Sequence, residues 1–156
     1  DLQKLTDESR FEKYQADVTN IVQLQNVIQQ FAGERALSLL INCAGSYAED
    51  VADKISYEEA VAMLQTNIMG AVNCLEVGRK AMCHTGGQIV LLASISGILD
   101  YRESSLYTKT KRSVIQIAES HADHVVAPVV HGVLYGAVFA SVAEHIVEPP
   151  TEIGIA

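Results

Sequence analysis

Two short apolar segments constrain the fold of this chain most strongly. Residues 37–41 (LSLLI) run into Asn42-Cys43-Ala44-Gly45, and residues 89–93 (IVLLA) run into Ser94. Both segments are shorter than a typical helix and rich in aliphatic residues, which is typical of strands buried on both faces. Helical patterns lie before, between and after them. This alternation predicts an α/β fold with a doubly wound parallel sheet and right-handed crossovers.

The segments around these strands predict further elements. Residues 11–18 (FEKYQADV) have the composition of a short strand, and Thr19-Asn20 can cap a helix that Gly33 ends. A Ser-x-x-Glu capping box at Ser56 opens a long helix that reaches Met82. Another helix is predicted from about residue 104 to residue 122.

Composition narrows the function classes. A chain of 156 residues with 49% hydrophobic content builds one core, so we expect a single, partial domain. The net charge of -8 opposes binding to nucleic acid and to anionic lipid. No apolar run predicts a membrane span, and the polar N-terminus lacks a signal-peptide pattern, so the expected location is cytoplasmic.

The cysteines and histidines indicate neither disulfides nor a metal. Cys43, Cys74 and Cys83 are odd in number and widely spaced, so we interpret them as reduced thiols. The five histidines form no helical His-Glu-x-x-His pattern, and no metal site is predicted.

Ser94, Tyr107 and Lys111 are the candidate catalytic residues. Ser94 ends a predicted strand, where ligands of parallel sheets bind, and Tyr107 and Lys111 are spaced to share one face of a helix. A free tyrosine titrates near pH ~10, and a neighbouring ammonium favours the phenolate. The three residues therefore fit proton transfer to or from a carbinol oxygen, with Ser94 positioning that oxygen.

Three other positions have two interpretations each. Asp17 ends the first predicted strand, where it can accept from an amino group or a ribose hydroxyl, although capping the next helix is the commoner role. The small residues Ala44 and Gly45 let a ligand approach the backbone closely, while Asn42 can fix the loop. Asn67 lies within the long helix as a poor helix former, so either a buried hydrogen bond or a functional role explains it.

Together these residues resemble the short-chain dehydrogenases/reductases. Asn42-Cys43-Ala44-Gly45 is similar to the family's Asn-Asn-Ala-Gly segment, and Asp17-Val18 stands at its adenine-pocket position. Asn67, Ser94, Tyr107 and Lys111 match its catalytic tetrad in order. The resemblance covers about residues 11 to 120 and implies a Rossmann-like fold. It also implies an oxidoreductase that transfers a hydride between NAD or NADP and a small alcohol or carbonyl substrate.

The resemblance also implies individual roles. Tyr107 would donate or accept the proton, Lys111 would also hold the nicotinamide ribose, Ser94 would polarise the substrate oxygen, and Asn67 would hold a water. The cofactor would be lined by Asp17, Val18, Asn42, Ala44 and Gly45. The two predicted long helices resemble the pair that associates subunits in this family, so a homodimer or homotetramer is expected.

The sequence departs from the family's pattern at both ends. The Thr-Gly-x-x-x-Gly-x-Gly turn that receives the pyrophosphate is absent, and the first glycine is Gly33, so the fold is expected to lack its first βαβ unit. Near the C-terminus the pattern is shortened, with Tyr135-Gly136 in place of Pro-Gly. Gly136 and Val138 are the remaining cofactor candidates. The alternative function is that of a truncated or degenerate relative, a structural or oligomer-forming subunit without cofactor.

Overall fold

The computed structural model describes residues 12–33, 35–48, 55–98 and 105–122, and the backbone of residues 137–142. Within these residues, helix α1 (Ile21–Ala32) precedes strand β1 (Leu39–Asn42), and a long helix precedes strand β2 (Gly87–Leu92). A 3-10 turn (Ile95–Gly97), helix α4 (Leu106–Ala122) and strand β3 (Ala137–Val142) follow. The alternation of strands and helices predicted from the sequence is confirmed.

The described strands form a three-stranded sheet in the order β1-β2-β3. β1 and β2 are parallel and in register from Leu39 opposite Gln88 to Asn42 opposite Leu91. Because they are parallel, their carboxyl ends, with Asn42 and Ser94, meet at the same edge of the sheet. This is the edge at which the sequence predicts the site.

β3 departs from the predicted all-parallel sheet, because it pairs with β2 in the antiparallel direction, with Ala137 opposite Leu92 and Val142 opposite Gly87. α4 ends at residue 122, so residues 123–136 separate it from β3. The apolar pattern of a strand does not specify its direction, and an antiparallel edge strand on an otherwise parallel sheet is common, so the sequence pattern alone does not predict this pairing.

The strand predicted at residues 11–18 is not formed in its described part, since residues 12–17 have no ladder partner and Val18 lies in a turn. A strand needs a neighbour to satisfy its backbone groups. The described sheet offers no strand beside this segment. Residues 12–15 are accordingly exposed.

The predicted helix ends are confirmed. Asn20 caps α1 by accepting from the backbone nitrogens of Val22 and Gln23, and Gly33 follows its last turn with a positive φ of 53°. Ser56 and Glu59 form the capping box of the long helix. That helix consists of α2 (Tyr57–Leu64), a π-helical turn (Gln65–Met69) and α3 (Gly70–Met82).

The main core lies between one face of the sheet and helices α3 and α4. Its buried residues share contacts across these three elements: Leu37, Ala71, Leu75, Met82, Ile89, Leu91, Ala93, Val114 and Ala118. α3 packs close to the strands at Gly78, where a Cβ would lie 2.7 Å from Ile89 Cδ1. The other face of the sheet leaves Leu39 and Ile41 exposed. In the described part of the chain, no helix is long and apolar enough to cross a membrane.

Candidate active site

The loop after β1 brings the predicted Asn42, Ala44 and Gly45 to the carboxyl edge of the sheet. Asn42 is buried, and its Oδ1 accepts a hydrogen bond of 3.1 Å from Ala44 N. This bond turns the chain away from the strand, as the sequence predicts for Asn42. A Cβ on Gly45 would lie 3.2 Å from Lys111 Nζ and 3.4 Å from Asn67 Oδ1. A Cβ at this position would be tight, and the Lys111 amine or the Asn67 side chain would have to move by a few tenths of an ångström to admit it.

Asn67 lies in the π-helical turn and is 2% exposed. Its Oδ1 accepts from Ser46 N at 2.7 Å, and its Nδ2 donates to Ser46 O at 2.9 Å. Nδ2 also donates to Thr110 Oγ1 at 2.9 Å. The buried hydrogen bonds explain a poor helix former at this position, and they join the long helix to the loop after β1 and to α4.

Tyr107 and Lys111 share one face of α4, as their spacing predicts. Lys111 Nζ lies 5.7 Å from the centroid of the Tyr107 ring. The amine donates a 3.1 Å hydrogen bond to Leu92 O, the last residue of β2. The bond holds the lysine at the carboxyl end of the strand, two residues before Ser94.

The Lys111 amine is enclosed by the protein, because the residue is only 6% exposed. Burial lowers the pKa of Lys111 below its ordinary value of 10.5, and Coulombic attraction to negative charge on the Cys43 sulfur opposes this shift. Desolvation weakens the hold on the amine's proton. The arrangement is suited to a cation that shares or relays a proton.

Ser94 begins the 3-10 turn after β2. Its Oγ accepts from Ser96 N at 3.2 Å, so the hydroxyl caps this turn and keeps its proton for another acceptor. The turn is attached to α4, because Arg112 Nε donates to Gly97 O at 3.2 Å. A Cβ on Gly97 would lie 2.9 Å from the backbone of Lys111 and Arg112. The Ser94 turn thus packs directly on the helix that carries Tyr107 and Lys111.

Asp17 and Val18 lie in the turn before α1. Asp17 Oδ1 accepts from the backbone nitrogen and hydroxyl of Thr19, which lowers the pKa of this exposed carboxyl. Asn20, rather than Asp17, caps the helix. Val18 packs against Gly70, where a Cβ would lie 2.7 Å from Val18 Cγ2, and Asn73 Nδ2 donates to Val18 O. Asp17 therefore has a local turn role that leaves its Oδ2 available for a ligand.

The two C-terminal candidates are placed differently. Val138 lies within β3, opposite Leu91, so the antiparallel pairing puts it near the carboxyl end of β2. Gly136 lies outside the described residues.

Four site residues were missed by the sequence analysis: Ser46, Tyr47, Gly97 and Thr110. The Tyr47 ring lies edge-on to Tyr107, with a centroid separation of 5.1 Å and an interplanar angle of 85°. Tyr47 lies two residues after the Asn-x-Ala-Gly segment, and Thr110 lies between Tyr107 and Lys111 in sequence. Their proximity in sequence was a usable signal, whereas the contact of Gly97 with α4 depends on tertiary packing.

The structure also shows the state of the three cysteines and the placement of the potential metal ligands. Cys43, Cys74 and Cys83 are free, and burial raises the pKa of Cys74 to about 11. The described residues contain no group of three or more histidine, cysteine or acidic residues placed to hold a metal ion.

Part of the residue set is compatible with a dinucleotide. Ala44 and Gly45 are small, so a sugar or ring can approach the loop after β1, and the exposed Asp17 carboxyl can accept from a hydroxyl. The printed sequence contains no glycine-rich turn to hold a pyrophosphate.

Comparisons with known proteins agree with the fold. The chain is 26% identical over 113 residues to the 3-oxoacyl-[acyl-carrier-protein] reductase of Mus musculus, covering 72% of this chain and 48% of that protein. It thus spans about half the length of that relative.

Solved structures are similar as well. ElxO with NADP bound is 28% identical at a TM-score of 0.69, covering 77% of this chain and 50% of that one. The serine dehydrogenase of Escherichia coli is 26% identical at a TM-score of 0.69, covering 82% of this chain and 62% of that one.

The profile of one family, described as short chain dehydrogenase, matches residues 1–147. This range includes the Asn-x-Ala-Gly loop, Asn67 and the Ser, Tyr and Lys positions. The chain belongs to the short-chain dehydrogenase/reductase family.

Proposed function

We propose that this chain carries the proton-transfer half of an oxidoreductase site that acts on a small alcohol or carbonyl substrate. The observation that supports it most directly is the placement of Lys111. Its amine is buried, is bonded to Leu92 O and lies 5.7 Å from the Tyr107 ring. Burying an amine costs folding stability. Groups whose pKa is shifted by burial cluster at functional sites.

In the proposed reaction, Tyr107 Oη gives its proton to the carbonyl oxygen while the carbonyl carbon is reduced. The Lys111 ammonium stabilises the phenolate that remains, and Ser94 Oγ donates to the same substrate oxygen to hold it in line. A reduced nicotinamide, NADH or NADPH, would supply the hydride when bound. In the oxidising direction the Tyr107 phenolate would take the proton from the alcohol, and the oxidised cofactor would accept the hydride.

Several residues are proposed to hold the cofactor. Lys111 and Tyr107 would bind the nicotinamide ribose, and the loop with Asn42, Ala44 and Gly45 would lie against the ring and sugar. Asp17 and Val18 would receive the adenine end, and the backbone near Val138 would border the site. The names of ElxO with NADP bound and of the mouse reductase support a nicotinamide cofactor and a carbonyl substrate.

The test of this proposal is Tyr107→Phe, which removes only the phenolic oxygen. We expect turnover of a panel of small carbonyl compounds with NADH and NADPH to fall by about 10²–10⁴-fold. Tyr57→Phe is the matched control, because Tyr57 is 79% exposed at the start of α2. Retained turnover in Tyr107→Phe, with circular dichroism unchanged, would reject the role of Tyr107.

Cofactor affinity tests whether the 156 residues suffice. Without a pyrophosphate cradle, two or three charge-assisted hydrogen bonds of about 1.5–3 kcal/mol each are lost, which weakens binding by at least a few hundredfold. We expect weak binding of NADH and NADPH in a calorimetric titration and rescue by a family-type N-terminal βαβ segment. A micromolar dissociation constant for the 156 residues alone would contradict the incomplete-site interpretation. Failure of the extended chain to bind would favour a subunit without cofactor.

We further propose association into a homodimer or homotetramer through the long helix. Leu64, Met69 and Val72 are apolar and 39%, 50% and 37% exposed on this helix. Exposed apolar groups in one element favour burial against a partner. Light scattering that shows a monomer at micromolar concentration would refute this.

A further inference from the structure

Thr110 is completely buried on α4, between the two residues proposed to move the proton. Its hydroxyl donates to Tyr107 O at 2.8 Å and accepts from Asn67 Nδ2 at 2.9 Å. The single hydroxyl proton goes to the carbonyl, and a lone pair receives the amide, so the geometry fixes both roles. A threonine whose hydroxyl only bonded within its own helix would make the bond to Tyr107 O and not the bond from Asn67 Nδ2.

The acceptor role matters because the Asn67 side chain is otherwise fully occupied. Oδ1 accepts from Ser46 N, one Nδ2 hydrogen goes to Ser46 O, and the other goes to Thr110. Asn67 is 2% exposed, so no bulk water replaces a lost partner. Without the Thr110 hydroxyl, one buried N–H would be left unsatisfied, and the amide would reorient to recover it.

The bonds form a closed circuit around Tyr107. From the backbone oxygen of Tyr107, the circuit runs through Thr110 and Asn67 to Ser46, and the next residue, Tyr47, returns to the Tyr107 ring at 5.1 Å. The backbone and the ring of Tyr107 are thus held by the same loop. Loss of the Thr110 hydroxyl would therefore affect both the backbone and the ring of Tyr107.

We infer that Thr110 is a positioning residue, which holds Tyr107 and Tyr47 in a fixed relation by tying α4 to Asn67 and the loop after β1. The inference rests on the proposed function for its effect on rate, because Tyr107 acts there as the acid or base. Its structural part, the position of the two rings, stands without that function.

The test compares Thr110→Val with Thr110→Ser and Thr108→Val. Valine has the shape of threonine without the hydroxyl, and serine restores the hydroxyl. Thr108 is also buried on α4, but its hydroxyl bonds Ser105 rather than Asn67. Thr108→Val therefore controls for the loss of a buried threonine hydroxyl from the same helix.

The structural readout is NMR of tyrosine ring carbons in the 156-residue chain, with resonances assigned by Tyr47→Phe and Tyr107→Phe. In Thr110→Val we expect the Tyr47 and Tyr107 resonances to shift or broaden, and in Thr110→Ser and Thr108→Val we expect them to stay at their parent positions. Unmoved resonances in a folded Thr110→Val protein would overturn the inference. This readout does not depend on turnover.

The kinetic readout uses any preparation in which turnover depends on Tyr107. We expect kcat of Thr110→Val to fall about tenfold to a hundredfold, as for a reacting group misplaced by a fraction of an ångström to one ångström, while KM stays within about twofold. In an Asn67→Ala background the same substitution should have no further effect on kcat, because the path is already broken. An equal fall in both backgrounds would overturn the route through Asn67. Absence of any Tyr107-dependent turnover would reject the proposed function and leave the NMR result to decide the inference.

Discussion

Strands β1 and β2 are parallel neighbours of similar apolar sequence, but their surroundings differ. Ile89, Val90 and Leu91 of β2 are 0%, 6% and 0% exposed, whereas Leu39 and Ile41 of β1 are 47% and 53% exposed. β2 has a strand on each side, and β1 has one described neighbour. Ile41 is in register with Val90, so both point to the same face. The difference shows that burial on this face depends on flanking structure rather than on residue type.

The two halves of the candidate site differ in the same way, because one has buried surroundings and the other has exposed surroundings. The proton-transfer residues lie beside β2, where Lys111 is bonded to Leu92 O and the Ser94 turn packs on α4. The residues proposed for the adenine end lie in an exposed turn without a ladder partner. The first half is fixed by contacts within the described residues. The second half presents donors and acceptors to solvent.

The largest expected effect comes from truncating one isoleucine in each strand, Ile89 on the face covered by helices and Ile41 on the opposite face. Ile89→Ala removes a fully buried side chain between α3 and the sheet, so we expect a loss of about 2–5 kcal/mol in the free energy of unfolding. Ile41→Ala, at a half-exposed position, should cost less than about 1 kcal/mol. Urea unfolding of both variants measures the difference. A cost at Ile41 equal to that at Ile89 would break the comparison, because something would then cover the outer face in solution.

A smaller effect is expected at the closed half of the site. Gly97→Ala places a Cβ 2.9 Å from the backbone of Lys111 and Arg112, which side-chain rotation cannot relieve. We expect a loss of about 1–3 kcal/mol in stability from overpacking, together with a lower rate because Ser94 moves away from α4. Ser96→Ala adds no atom at this contact and serves as the control, with an expected change within about 0.5 kcal/mol. Equal stability of the two variants would show that the turn is not held against the helix.

The smallest effect is expected at Lys111 and has the opposite sign. Burial lowers the pKa of Lys111 in the folded state, so the unfolded chain binds its proton more tightly. The charged amine therefore costs stability at neutral pH, and this cost disappears as pH rises from the lowered folded pKa to the unfolded value of 10.5.

Lys111→Met removes the charge and keeps the stem, so we expect the free energy of unfolding at pH 7 to rise by up to about 1 kcal/mol while turnover is lost. The advantage of the variant should shrink as pH approaches 10.5. Denaturant titrations at several pH values test this. A parent protein that is more stable than Lys111→Met at pH 7 would show that the bond to Leu92 O outweighs desolvation.

Local sequence signals predicted the elements that local chemistry determines. The Asn20 cap, the Ser56 capping box and the face shared by Tyr107 and Lys111 each depend on residues a few positions apart. The parallel pairing of β1 and β2 follows from the alternation of strands and helices. The unexplained helical position of Asn67 was also a correct signal of a buried hydrogen bond. These parts of the fold and site could be predicted without coordinates.

Other parts depend on distant partners and could not be predicted in this way. The segment at residues 11–18 has strand composition, but its described part lacks a neighbouring strand. The direction of β3 follows from a long connection that no local signal determines. The contacts of Tyr47 with Tyr107 and of Gly97 with α4 join positions far apart in sequence. The roles assigned to the cofactor and substrate residues stay predictions.

The π-helical turn has a consequence for insertions and deletions in the long helix. Gly70 N bonds to Gln65 O, so this turn holds one residue more than an α-helical turn, while Met63 before it and Ala71 after it both face the core. Deleting the exposed Met69 would let the helix close into regular α-helix with both flanking segments keeping their faces. The helix thus contains one residue more than a regular α-helix with the same buried faces needs. That extra residue places Asn67 where the long helix, the loop after β1 and α4 meet.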